Sequence, residues 1–99
     1  MENKSEKKQG DFTLTLPKDR AQSGFFTIYL KEIDEPTYIA AAKLIAAGKE
    51  VETVKFMLQN LYVGGDPIKD VLVNFFAVRA ASEPCIEILN PATGELKKN

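Results

Sequence analysis

The stretch from Glu35 to Pro67 constrains the fold most, because helical periodicity and helix-ending residues alternate along it. Apolar residues recur at helical spacing from Tyr38 to Ala46, and Gly48 follows as a residue that readily adopts the left-handed conformation found at helix ends. A second helical pattern continues to Gly64-Gly65. Asp66-Pro67 is then typical of a helix start, with a capping oxygen before a proline in the first turn. The stretch therefore predicts three short helices that form a scaffold.

Two segments before the first helix alternate in the way that half-buried β-strands do. From Asp11 to Leu16, and again from Phe25 to Lys31, every second side chain is apolar on one face. The polar segment 17–24, with Pro and Gly at its ends, predicts a loop that joins them as an antiparallel hairpin. Two strands alone are marginally stable in water, so we expect the helices to cover one face of the hairpin.

The C-terminal part of the chain predicts a third strand. Pro84 is expected to end the third helix, and the alternating, partly β-branched run from Cys85 to Leu89 then favours a strand, followed by a turn at 90–94. The predicted fold class is α+β, an antiparallel two- or three-stranded sheet packed against three short helices. Residues 11–96 are expected to form one domain, and the charged segment 1–10 is predicted to be a disordered tail.

Composition excludes several classes of function. The net charge of −1 argues against a nucleic-acid binder, which normally carries a basic excess. No histidine and a single cysteine, Cys85, leave no Cys/His zinc set and no disulfide within the chain. The longest apolar-rich run, Tyr38–Ala47, contains Lys43 and is much shorter than a membrane span. The polar N-terminus predicts no signal peptide, so a cytoplasmic protein is expected.

Three groups of residues are candidate chemical sites. Glu32, Asp34 and Glu35 either bind a divalent cation or perform acid–base chemistry, or they cap the first helix, and capping is favoured. Gly64-Gly65-Asp66 either binds phosphate or forms two helix caps, and the carboxylate favours the caps. Cys85 lacks a histidine partner, which favours a buried structural thiol. We therefore expect no catalytic site, no metal, no cofactor and no enzymatic activity.

The third helix carries more apolar surface than one buried face needs. Phe75 lies in its core stripe and is predicted to be buried. Leu58 in the second helix is predicted to be buried for the same reason. A second stripe, rotated by about a third of a turn, is formed by Val73, Phe76, Ala77 and Ala80. Either the C-terminal strand and Leu96 cover this second stripe, or it binds a protein partner or a second copy of the chain.

The segment from Tyr29 to Asp66 resembles the small tail assembly chaperone-like proteins of long-tailed phages and prophages. The similarity lies in YLKEID leading into PTYIAAAKLIAAGK, and in VETVKFMLQNLYVGGD with its Tyr62-Val63-Gly64-Gly65-Asp66 ending. A Leu-Lys-Lys ending, at 96–98, is also similar. The resemblance implies a chaperone that shields an apolar partner such as the tape measure protein. The alternative is a small structural subunit or adaptor of a phage-related or mobile-element assembly.

Overall fold

The computed structural model describes residues 10–90 and confirms the α+β class. The elements in chain order are β1 (Phe12–Pro17), β2 (Phe25–Leu30), α1 (Glu35–Ala46), α2 (Glu50–Leu61), β3 (Tyr62–Gly65), α3 (Ile68–Leu72), α4 (Phe75–Ala80) and α5 (Ser82–Leu89). The three strands form one antiparallel sheet in the order β1-β2-β3. Most of the predicted tail, the predicted turn after Asn90 and Leu96 lie outside the described residues.

The hairpin forms as the alternation predicts. Leu14 lies opposite Ile28, and Pro17 lies opposite Phe25 where the loop begins. The loop is held by Asp19, whose carboxylate accepts hydrogen bonds from the backbone N–H and the hydroxyl of Ser23. These hydrogen bonds, the hydroxyl's first, lower the pKa of Asp19. The alternating apolar residues of both strands face the helices and leave the threonines of β1 exposed.

Helix α1 begins and ends where the sequence indicates. Asp34 is its N-cap, with a carboxylate oxygen 2.9 Å from the backbone nitrogen of Thr37, and Pro36 lies in the first turn. Gly48 has a φ of +79°, and the N–H groups of Gly48 and Lys49 donate to the carbonyls of Ile45 and Leu44. This pair of hydrogen bonds is a Schellman motif, which explains why the chain turns at Gly48.

The third strand lies elsewhere than predicted. Tyr62–Gly65 was expected to form the end of the second helix. Helix α2 ends instead at Leu61, and Tyr62–Gly65 forms a strand that pairs with β2. Asp66 does not cap α3. The N-cap position of that helix is Pro67, and no side chain makes a capping hydrogen bond there. Instead Asp66 exchanges hydrogen bonds with Thr27: its N–H donates to the Thr27 carbonyl at 2.9 Å, and its carboxylate accepts from the Thr27 N–H at 2.8 Å. Asp66 therefore extends the β2–β3 pairing.

We expect the change Asp66→Ala to destabilise the protein by about 1–2 kcal/mol, because it leaves the half-buried Thr27 N–H without its acceptor. Urea unfolding monitored by circular dichroism measures the loss. Glu87→Ala removes an exposed carboxylate from α5 and is the matched control, with a change within about 0.5 kcal/mol. Equal losses for the two variants would contradict the role given to Asp66.

The run predicted as the C-terminal strand is helix α5. Pro84 does not end a helix but lies in the first turn of α5, where a missing N–H removes no helical hydrogen bond. Cys85, Ile88 and Leu89 are buried, and this spacing of three and four residues is a helical period. The CIEIL run fits both periodicities, and the proline was wrongly interpreted as a helix end.

The region predicted as one third helix consists of two separate helices, α3 and α4. Asn74, expected on a polar helix face, is the N-cap of α4, with its side-chain oxygen 3.0 Å from the nitrogen of Ala77. Its amide nitrogen also donates to the Lys18 carbonyl at 3.1 Å, which joins α4 to the hairpin loop. The chain therefore changes direction at Asn74, and the faces of α4 do not continue those of α3.

The core lies between the inner face of the sheet and the helices. Helix α2 is central to it, since it contacts α1, α3, α4 and α5. Leu58 is fully buried as predicted, whereas Phe75 is 62% exposed, so the prediction of a buried Phe75 is wrong. Fully enclosed large side chains of the core include Leu16, Ile28, Leu30, Val54, Met57, Leu61 and Val71.

Candidate apolar binding surface

The four residues predicted to bind a partner do not form one surface. Val73 is 84% exposed, but Ala77 is completely buried in the core. Phe76 and Ala80 are half-buried. The guanidinium of Arg20, in the hairpin loop, lies 5.5 Å from the centre of the Phe76 ring, so the loop partly covers this residue. Of the predicted set, only Val73 is open to a partner.

An exposed apolar surface does exist, on different residues of the same region. It is formed where α2, α4 and α5 meet, and we call it the α2–α4–α5 surface. Its members are apolar side chains that are 36–84% exposed: Val51, Val73, Phe75 and Ile86. The prediction of a buried Phe75 is wrong because α3 and α4 are separate helices. The N-cap at Asn74 turns this ring outward.

Two adjoining grooves give the α2–α4–α5 surface its shape. One has a volume of about 760 Å³ and extends from Val51 to Ile86 past Phe75. The other, of about 200 Å³, lies on the side of Val73. Val51, Phe75, Val78 and Arg79 line both grooves, so the two form a continuous depression. A third groove, of about 240 Å³, adjoins at Ile86 and reaches Tyr38 of α1.

Arg79 lies at the centre of this surface beside Phe75, and the other charged groups border it. The guanidinium of Arg79 lies 5.6 Å from the centre of the Phe75 ring. The Phe75 and Phe76 rings meet edge to face at 5.5 Å, which fixes the orientation of Phe75. Glu50 and Glu83 lie along the larger groove, and the Glu50 carboxylate accepts a hydrogen bond from the Ser82 hydroxyl. The surface therefore has a centre of aromatic, aliphatic and arginine side chains with a charged rim.

Two of the acidic residues near the start of α1, Glu32 and Asp34, bind backbone N–H groups. Asp34 caps the helix, and hydrogen bonding from the side chain and then the N–H of Thr37 lowers its pKa. The Glu32 carboxylate accepts from the N–H of Ile33 at 3.3 Å. Residues 10–90 contain no group of three or more acidic or cysteine side chains placed to hold a metal ion. The capping interpretation of Asp34 is confirmed.

Cys85 is a core residue. It is 1% exposed, and burial raises the pKa of its thiol to about 12. A thiol with so high a pKa is almost entirely protonated near neutral pH and is a poor nucleophile. The structural interpretation of this cysteine therefore agrees with its surroundings, although it lies on a helix rather than on a strand.

Comparison with known protein families, with curated proteins and with solved structures finds no match to the chain. No helix within residues 10–90 has both the length and the apolar character needed to cross a membrane.

Proposed function

We propose that this protein is a non-catalytic protein-binding module and that its partner contacts the α2–α4–α5 surface. The observation that carries the proposal is the exposure of Phe75 and Val73, which are 62% and 84% accessible beside a continuous apolar depression. Exposed large apolar side chains are ordinary when scattered singly, but clustered ones mark contact sites.

The composition of the surface suits a binding role. Aromatic and arginine side chains supply much of the binding energy at protein interfaces, and Phe75 and Arg79 lie together at the centre of this surface. Charged groups at the rim, here Glu50, Glu83 and Lys55, stay solvated while the centre loses its water. An apolar helix fits such a depression better than a polar ligand, because its side chains replace water in the grooves.

The resemblance to tail assembly chaperone-like proteins indicates what kind of protein this partner is. We propose that the chain acts in the cytoplasm during phage or prophage tail assembly and shields an apolar segment of a partner such as the tape measure protein. A chaperone of this kind needs an accessible apolar surface on a stable small scaffold. The α2–α4–α5 surface supplies that accessible area.

Two observations distinguish a chaperone from a structural subunit or adaptor. A chaperone gene is expected just upstream of a very long tape measure gene, and its product is expected to be absent from finished particles. A structural subunit would be recovered by mass spectrometry of purified particles. Recovery at the stoichiometry of a tail component would therefore contradict the chaperone proposal and favour the alternative.

We expect Phe75→Glu to reduce partner binding by at least about tenfold, because the carboxylate would have to lose its water in the apolar depression. Copurification with the coexpressed tape measure protein measures the effect. Phe25→Glu is the matched control: Phe25 is 46% exposed, at the start of β2 and outside the grooves of the surface. The assigned surface would be contradicted if both variants copurified with the partner equally well. It would also be contradicted if both variants were folded and lost partner binding to the same extent.

A further inference from the structure

No strand among the described residues pairs with the outer edge of β1. Within residues 10–90, β1 pairs only with β2. The N–H of Lys18, just after β1, points toward β2 and donates to the Gly24 carbonyl at 2.9 Å. The N–H and C=O of Thr27, which lies opposite Thr15, point away from β1 and bind Asp66. Hydrogen-bonding direction alternates along an antiparallel strand. The N–H and C=O groups of Thr13 and Thr15 therefore point away from the sheet.

This edge lacks most of the features that usually prevent strand pairing. Natural edge strands are commonly protected by charged side chains, prolines or bulges. From Phe12 to Leu16 there is no charged residue and no proline, and Pro17 comes only at the end. Thr13 and Thr15 are exposed, and Leu14 is half-buried. A groove of about 410 Å³ also lies beside Phe12 and Leu14, between β1 and α5.

We propose that a second copy of this chain pairs with β1, antiparallel and about a two-fold axis at Leu14. In this register Thr13 of each copy lies opposite Thr15 of the other, and both residues use their outward N–H and C=O groups. The two three-stranded sheets then become one continuous sheet. Leu14 of each copy packs against Leu14 of the other on the face that already borders the core.

Two properties of the strand favour a second copy as the occupant. Opposed threonines form favourable cross-strand pairs, and the register opposes each Thr13 to a Thr15. Pro17 has no N–H, so the new ladder ends at the same place in both copies.

Analytical ultracentrifugation of the full chain, from micromolar to about 1 mM, tests this proposal. The wild type is expected to dimerise, and Thr15→Pro is expected to raise the dimer dissociation constant by about tenfold or more, since it removes one outward N–H from each copy. Proline is tolerated at an edge strand, so the monomer fold should survive, as circular dichroism will show. Thr15→Val keeps the N–H and is the matched control that still dimerises.

Amide hydrogen exchange of the wild type gives an answer even if Thr15→Pro does not fold. The Thr13 and Thr15 amides are expected to exchange more slowly as the protein concentration rises. A wild type that is monomeric at about 1 mM overturns the proposal. A dimer in which these two amides exchange at a concentration-independent rate also overturns it. Phe75→Glu lies outside this edge and should leave dimerisation unchanged, which separates this proposal from the proposed partner surface.

Discussion

Replacing Leu58 by alanine is expected to lower the free energy of unfolding by about 2–5 kcal/mol. Leu58 is completely buried in α2, the helix that contacts each of the other described helices. Truncation removes apolar contacts and leaves a cavity that neighbours on several elements cannot fill together. Guanidinium unfolding followed by circular dichroism measures the loss.

Phe75→Ala is the control for this prediction, although the sequence pattern places both residues in the core. Phe75 is 62% exposed, and its ring lies beside the Phe76 ring and the Arg79 guanidinium. Its truncation should cost about 1 kcal/mol, the scale of one aromatic pair. A loss for Phe75→Ala as large as that for Leu58→Ala would contradict the packing of α4 described above.

Gly65→Ala is expected to cost about 3 kcal/mol or more, because backbone strain and a steric clash coincide at this position. Gly65 has a φ of +103°, which side-chain-bearing residues rarely adopt. A Cβ atom there would also lie 2.4 Å from the Thr27 carbonyl oxygen, so β2 and β3 would have to separate. Thermal unfolding measures the effect, and loss of the amide protection of Thr27 would locate it.

Gly48→Ala separates the contribution of backbone strain from that of the steric clash. Gly48 also has a positive φ, +79°, but a Cβ atom there would meet nothing within 4 Å. Only the left-handed strain remains, so we expect a loss of about 1–2 kcal/mol. If Gly65→Ala were no worse than Gly48→Ala, the close approach of β3 to β2 would be contradicted.

Local patterns were sufficient for the first half of the fold. The alternation in β1 and β2 has a period of two, and it specifies both the strands and the face that packs on the helices. The cap at Asp34 and the turn at Gly48 are also local, because their hydrogen bonds join residues within five positions of each other. Signals of this kind can be recognised in a sequence without knowing the tertiary structure.

Two of the errors occurred where a distant contact decides the structure. Tyr62–Gly65 is a strand because it pairs with β2, more than thirty residues earlier, and nothing local shows that partner. Asp66 before a proline has the local signature of a helix cap, but its carboxylate binds Thr27 instead. In each case a tertiary hydrogen bond outweighs a local preference.

The candidate binding surface was predicted in the right region but with the wrong residues. Two apolar stripes rotated relative to each other were interpreted as two faces of one helix. They arise because α3 and α4 are separate helices with different directions, divided by the cap at Asn74. The asparagine before Phe75 was the available signal, since asparagine is a preferred N-cap residue. Because a new helix begins after Asn74, Phe75 lies on its exposed face and Ala77 lies on its buried face.

Hydrogen exchange of the protein, free and bound to its proposed partner, a coexpressed tape measure protein, tests the proposed binding surface most directly. Binding at the α2–α4–α5 surface should slow exchange at Val51–Val54 and Phe75–Arg79, while Phe25–Leu30 keeps the rate it has in the free protein. The contradicting result is a stable complex whose protected amides lie on the sheet, with α2 and α4 unchanged. Absence of any complex at micromolar concentration would also contradict the account.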